Sequence, residues 1–141
     1  MILPITLTGA GLAALINFWL AMRCGRVRTG QKISMGDGGN DALIAAMRAQ
    51  SNFVEYTPFV LILIGLIEMA TGTSTWLWIV MSLYMLGRVA HGLGMTDSLP
   101  KGRMVGTIIT FLTLLGLAIY AIAIPHTAIG TVMPVETVDA V

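Results

Sequence analysis

The sequence predicts an all-α integral membrane protein, a bundle of four spanning helices, and three observations carry that expectation. Of its 141 residues, 56% are hydrophobic and only 11% charged, which leaves too little polar surface for an ordinary soluble domain. The apolar residues gather into four segments that reach, or with short extensions reach, the roughly 20 residues needed to cross a bilayer. All eight Lys and Arg fall in or beside the first and third connections between those segments.

The first segment runs from Pro4 to Met22. Nothing basic precedes it, no small-x-small cleavage site follows it, and Arg23, Arg26 and Arg28 come directly after, so a retained helix is expected rather than a secretory signal. Gly9 and Ala13 stand at small-xxx-small spacing, which suits packing within one protomer or against a second copy. The single cysteine, Cys24, has no partner for an internal disulfide.

The longest connection concentrates its turn chemistry in "GDGGND", where two glycines permit positive φ and Asn40 or Asp41 can cap the next helix. The second helix is therefore expected to begin near Asp41, well before its apolar run of Asn52 to Ala70. At 1.5 Å per residue, Asp41 to Ala70 would extend about 45 Å, longer than a hydrocarbon core of roughly 30 Å. Its first two or three turns would project into the cytoplasm.

The third segment, Trp76 to Val89, spans only when extended through Thr73 and Leu93. The fourth, Val105 to Ile124, follows "LPKGRMVG", in which Pro100 and Gly102 make a tight turn and Arg103 occupies the first helical turn. The second connection, "TGTST", carries no charge, and the tail after Pro125 carries only Glu136 and Asp139. The positive-inside rule then places both termini outside and the first and third connections in the cytoplasm. A net charge of +1 gives no reason to expect a nucleic-acid partner; the lipid bilayer is the expected surrounding.

Chemistry concentrates in "RAQSNFVEYTP". On a helix turning about 100° per residue, Arg48, Asn52 and Glu55 fall within roughly 60° of one another and form a polar stripe flanked by Gln50 and Tyr56. A guanidinium, an amide and a carboxylate on one face offer the donors and acceptors that a zwitterionic, peptide-like ligand requires. Helix 3 ends "YMLGRVAHGLGM", where Arg88 and His91 share a face one turn apart and Met95 follows a turn later. A buried arginine needs a partner, and Glu55 is the natural candidate. No second His or Cys stands at metal-ligand spacing, so no metal site is expected.

"RAQSNFVEYTP" resembles the helix 2 signature of the MAPEG superfamily, the membrane-associated proteins in eicosanoid and glutathione metabolism, and "LGRVAHGLG" is similar to its helix 3 end. "GDGGNDALIAAMRAQSNFVEYTPF" is similar to the small bacterial inner-membrane members, and the resemblance covers essentially the whole chain as one four-helix domain, residues 1–141. It implies a homotrimer in the bacterial inner membrane, with glutathione as co-substrate bound between protomers near the cytoplasmic face. Arg48, Gln50, Asn52, Glu55 and Tyr56 would contact the tripeptide from helix 2, Arg28 would reach it from the neighbour's helix 1, and Arg88 and His91 would belong to the site from helix 3. Arg103 would stabilise the thiolate, which matters because a free thiol with a pKa of about 8.5 is mostly protonated at neutral pH.

The chain departs from the pattern where catalytic members carry helix 3 tyrosines, here His91 and Met95. Two functions from different classes follow. One is a glutathione-dependent transferase or peroxidase acting on small lipophilic electrophiles from the bilayer. The other is a non-catalytic membrane subunit that packs against a larger membrane complex. The missing helix 3 tyrosines favour the second; retention of the Arg48, Gln50, Asn52, Glu55 and Tyr56 set favours the first, because a cluster kept for packing alone would need neither Gln50 nor Tyr56.

Overall fold

A computed structural model describes residues 2–96 and 98–128. The expected outward placement of the C-terminal tail, with Glu136 and Asp139, lies outside the described residues. The chain forms four helices, α1 (Pro4–Gly30), α2 (Asp41–Thr71), α3 (Thr75–Gly94) and α4 (Gly102–Ala128), each long and apolar enough to cross a membrane. Among the described residues there is no strand.

The helices outrun their apolar runs because Arg and Lys need not end a helix at a membrane surface; their stems lie along it while the charged heads reach water. α1 carries Arg23, Arg26 and Arg28 within its last eight residues. α2 begins at Asp41 with Asn40 as its cap, the Asn40 Oδ1 accepting the Leu43 N–H at 3.0 Å. Its 31 residues make about 46 Å of helix, so the first turns extend beyond the hydrocarbon layer. Gly36, Gly38 and Gly39 all take positive φ in the α1–α2 connection, the conformation expected of that glycine cluster.

α1 packs chiefly against α2, and α3 against α4, with α2 also touching α3 and α4. Ile5, Leu20, Phe53, Val60, Ile64, Ile67, Leu77, Met81, Tyr84 and Leu117 form the core between them. Gly9 belongs to this intraprotomer packing, since a Cβ there would run into the Met81 side chain. Large apolar side chains such as Leu7, Phe18, Phe59, Ile79, Leu112 and Ile122 point outward, as they must where the solvent is lipid.

Two long-range contacts pin the ends of the bundle. At the α2–α3 end, Glu68 is only 1% exposed and accepts the backbone N–H groups of Ile5 (3.0 Å) and Thr6 (2.9 Å) and the hydroxyls of Thr6 (2.7 Å) and Thr73 (2.9 Å). α1 has no cap of its own at Leu3, so this carboxylate satisfies amides that would otherwise be orphaned in an apolar setting. At the opposite end Arg23 donates to the Gly92 carbonyl (2.9 Å) and to the Thr96 hydroxyl, and stacks its guanidinium over Trp19. α1 thereby supplies the donor that closes the C-terminus of α3.

Candidate functional site

The polar stripe of α2 opens into a cavity of about 550 Å³ at the end of the bundle where α1 and α3 finish. Arg48, Asn52 and Glu55 line it from α2, His91 from α3, Met95 from the cap of that helix, and Arg103 and Thr107 from α4. At 1.5 Å per residue, Arg48 lies about 10 Å and Glu55 about 21 Å along α2 from Asp41.

Close approach of α3 and α4 brings His91 and Arg103 to the same cavity. A Cβ at Gly106 would lie 2.5 Å from both the Gly87 carbonyl oxygen and the His91 Cβ, and one at Gly102 would lie 2.5 Å from the Ala90 carbonyl oxygen. One at Gly94 would strike the Arg103 backbone nitrogen. Glycine at these positions is the local sequence reason that Arg103, at the first turn of α4, sits beside the end of α3. His91 is 4% exposed, and its Nδ1 has no hydrogen-bond partner among the described residues.

The other expected site residues divide between two neighbouring spaces. Arg28 and Gln50 lie in an adjoining cleft of about 640 Å³ between α1 and α2, which also holds Cys24 and shares Ser51 and Glu55 with the cavity. Arg28 donates to the Gly36 carbonyl of its own connection at 2.9 Å, with Met47 Sδ 3.8 Å from its other nitrogen. Tyr56 faces a third space, an apolar groove of about 390 Å³ between α2 and α4 lined by Phe59, Ile62, Leu63, Leu114 and Ala118. Its ring meets Phe111 edge-on at 5.6 Å. Glu55 borders all three.

Arg88 corrects the expectation of a Glu55 partner. It is 1% exposed, donates to the Thr110 hydroxyl at 3.0 Å and lies over the Phe53 ring at 5.5 Å, while its Nε has no partner among the described residues. Glu55 is exposed instead. The rotation of α3 about its own axis turns Arg88 into the bundle toward α4, so the guanidinium meets Thr110 first.

The profile of the MAPEG family matches residues 6–123. The chain belongs to the MAPEG family. This MAPEG chain is also similar to the Escherichia coli inner membrane protein YecN, at 33% identity over 107 residues in strain K12, covering 75% of the chain and 81% of that protein. The YecN of Escherichia coli O6:H1, strain CFT073, matches to the same extent. With four membrane-crossing helices, this MAPEG protein is a multi-pass inner-membrane protein surrounded by the lipid bilayer. Among its described residues no three His, Cys, Asp or Glu side chains gather as metal ligands would.

Sequence reasoning missed three residues. Glu68 and Arg23 pin helix ends across the bundle, and Asn17, midway along α1, accepts from Gln50 Nε2 at 3.5 Å. The available signal was the rarity of ionisable and amide side chains inside spanning segments, where each one calls for a named partner.

Proposed function

We propose that the protein is a glutathione-dependent membrane transferase or peroxidase that acts on lipophilic electrophiles. The reading is carried by the convergence of Arg48, Asn52, Glu55, His91 and Arg103, from three helices, on one cavity at the membrane surface. Its volume lies within the range of small-molecule sites. The arginines suit the carboxylates of a tripeptide, Glu55 suits its ammonium group, and Asn52 can serve a peptide unit from either its donor or its acceptor side.

Arg103 is the thiolate stabiliser. A guanidinium beside the thiol favours its charged form and so raises the nucleophilic fraction, with no metal required. In a transferase turnover the thiolate sulfur bonds to the electrophilic carbon and the displaced or relocated electron pair is protonated by solvent. The apolar groove below Glu55, with Tyr56 at its edge, gives the lipophilic co-substrate a place to lie against the reacting sulfur, reached from the bilayer.

The site is completed by a neighbour in a homotrimer. Arg28 and Gln50 line the adjoining α1–α2 cleft and not the cavity itself, and one protomer's cleft closing over the next protomer's cavity would bring all of these residues to one ligand. Such a head-to-tail contact closes into a ring.

Ultraviolet difference spectroscopy of the detergent-purified protein tests the reading. Added glutathione should give a thiolate band that disappears in Arg103→Ala and weakens in Asn52→Ala through lower affinity. If glutathione does not bind the unaltered protein, the polar cavity is structural and the reading falls to that of a non-catalytic subunit in a larger membrane complex.

A further inference from the structure

Arg88 Nε and His91 Nδ1 stand one turn apart on the same face of α3, both enclosed and both without a hydrogen-bond partner among the described residues. Arg88 is 1% exposed and His91 4%, so bulk solvent serves neither atom. Thr110 satisfies only Nη1 of the guanidinium. A buried polar atom left unpaired is costly, and most such atoms find protein or an ordered water. The Arg88 Nε–H can only donate, whereas an imidazole nitrogen that carries no hydrogen can only accept. Residues three apart on a helix have Cβ atoms roughly 5–6 Å apart, and two hydrogen bonds of about 2.9 Å in series reach about as far. A small molecule that accepts at one end and donates at the other fits that span, and water is the smallest that does both.

We infer that one buried water joins Arg88 Nε to His91 Nδ1 and fixes the imidazole hydrogen on Nε2, which makes Arg88 a positioning residue that acts through His91. The water accepts from the Arg88 N–H and donates to Nδ1, so Nδ1 keeps its lone pair and the hydrogen of the neutral ring goes to Nε2. His91 lines the cavity beside Arg48 and Arg103, and with Nδ1 enclosed the nitrogen left for the cavity is Nε2. It offers the cavity a donor and no acceptor. On the glutathione reading, on which this last step rests, His91 therefore does not take the thiol proton. Breaking the S–H bond leaves the electron pair on sulfur and sends the proton to solvent, while Nε2–H stays in place as a donor to the bound anion.

Long-range ¹H–¹⁵N correlation of the imidazoles in the detergent-purified protein, without glutathione, reads the position of the hydrogen directly. His91 is told from the chain's other histidine, His126, by the loss of its signals in His91→Gln. The unaltered protein should show a protonated Nε2 and an unprotonated Nδ1, and Arg88→Leu should move the signals toward the Nδ1–H form or an average of the two. Nδ1–H in the unaltered protein, or a pattern that Arg88→Leu leaves unmoved, overturns the inference whether or not glutathione binds.

Two replacements of His91 separate a donor from a base. Glutamine places an N–H₂ group where Nε2 stands and takes up no proton, whereas asparagine reaches only as far as Nδ1. His91→Gln should keep the thiolate band with glutathione affinity within about threefold, and His91→Asn should lower affinity about tenfold, the worth of one hydrogen bond to a charged group. A band abolished in His91→Gln while glutathione still binds would make His91 the base and overturn the inference, leaving the glutathione reading intact. If the ring shows Nε2–H and responds to Arg88→Leu but glutathione does not bind the unaltered protein, the water-held tautomer stands and the glutathione reading falls.

Discussion

Glu68, near the end of α2, holds Thr6, in the first turn of α1, through both its backbone N–H at 2.9 Å and its hydroxyl at 2.7 Å. With the Ile5 N–H at 3.0 Å and the Thr73 hydroxyl at 2.9 Å, the carboxylate has four donors and no need of a cation. It serves as the helix cap that α1 lacks, supplied by a residue 62 positions away.

Glu68→Ala should therefore strip acceptors from two backbone amides in an apolar setting, at about 2–3 kcal/mol. Thermal unfolding in detergent, followed by far-ultraviolet circular dichroism, should show a midpoint several degrees lower. Thr6→Val should cost less, because the Ile5 and Thr6 amides still reach the carboxylate. Equal effects of the two substitutions would mean that the hydroxyl, and not the helix cap, carries the contact.

Arg88 is expected to separate stability from binding. Its charge is buried against Thr110 and Phe53 with an unpartnered Nε, so desolvation is only partly offset. Arg88→Leu should leave the unfolding midpoint unchanged or higher and weaken glutathione binding roughly tenfold, because a positive charge behind His91 is lost. Calorimetric titration beside a thermal melt checks both arms; a large stability loss with undiminished binding would assign Arg88 to packing alone.

The four spans, the Asn40 cap and the α2 stripe were legible in the sequence because each depends on residues a few positions apart: an apolar run, an Asx side chain before a helix, a spacing of four and then three. The Arg88 pairing was not legible, since an apolar run does not fix how far a helix rotates about its axis, and that rotation decides whether the guanidinium meets Glu55 or Thr110. Glu68 and Arg23 stayed hidden for a related reason. Each acts at the far end of another helix, where only the assembled bundle shows which amide or carbonyl is waiting. The division of site residues between the two sides of α2 has a similar cause, because Gln50 sits two positions from Asn52 and so turns about 160° away from it on the helix.

Glycine placement between α3 and α4 can be tested with an internal control. Gly106→Ala should force a methyl against the Gly87 carbonyl and the His91 side chain, both 2.5 Å from the built Cβ, and spread the helices that carry His91 and Arg103. Gly11→Ala meets nothing within 4 Å and gains helix propensity of about 1 kcal/mol. Melting curves should move in opposite directions, with glutathione binding lost only in Gly106→Ala. A stable, binding-competent Gly106→Ala protein would show that the close approach of α3 to α4 is not needed to form the cavity.

The trimeric reading and a single-protomer site differ in which chain supplies each arginine. Arg28 lies in the α1–α2 cleft and Arg103 in the adjoining cavity, and in the trimeric reading a shared site takes Arg28 from one chain and Arg103 from the next. Arg28→Ala and Arg103→Ala should each abolish the thiolate signal when purified alone. Co-expressed in equal amounts and purified as one unsorted pool, they should regain about a quarter of the unaltered sites, the fraction of interfaces that receive both intact arginines by random assembly. A site built within one protomer gives no recovery at any mixing ratio, because every chain then lacks one of its two arginines. Recovery that tracks the mixing ratio and vanishes when the oligomers are dissociated would place the glutathione site between neighbouring chains.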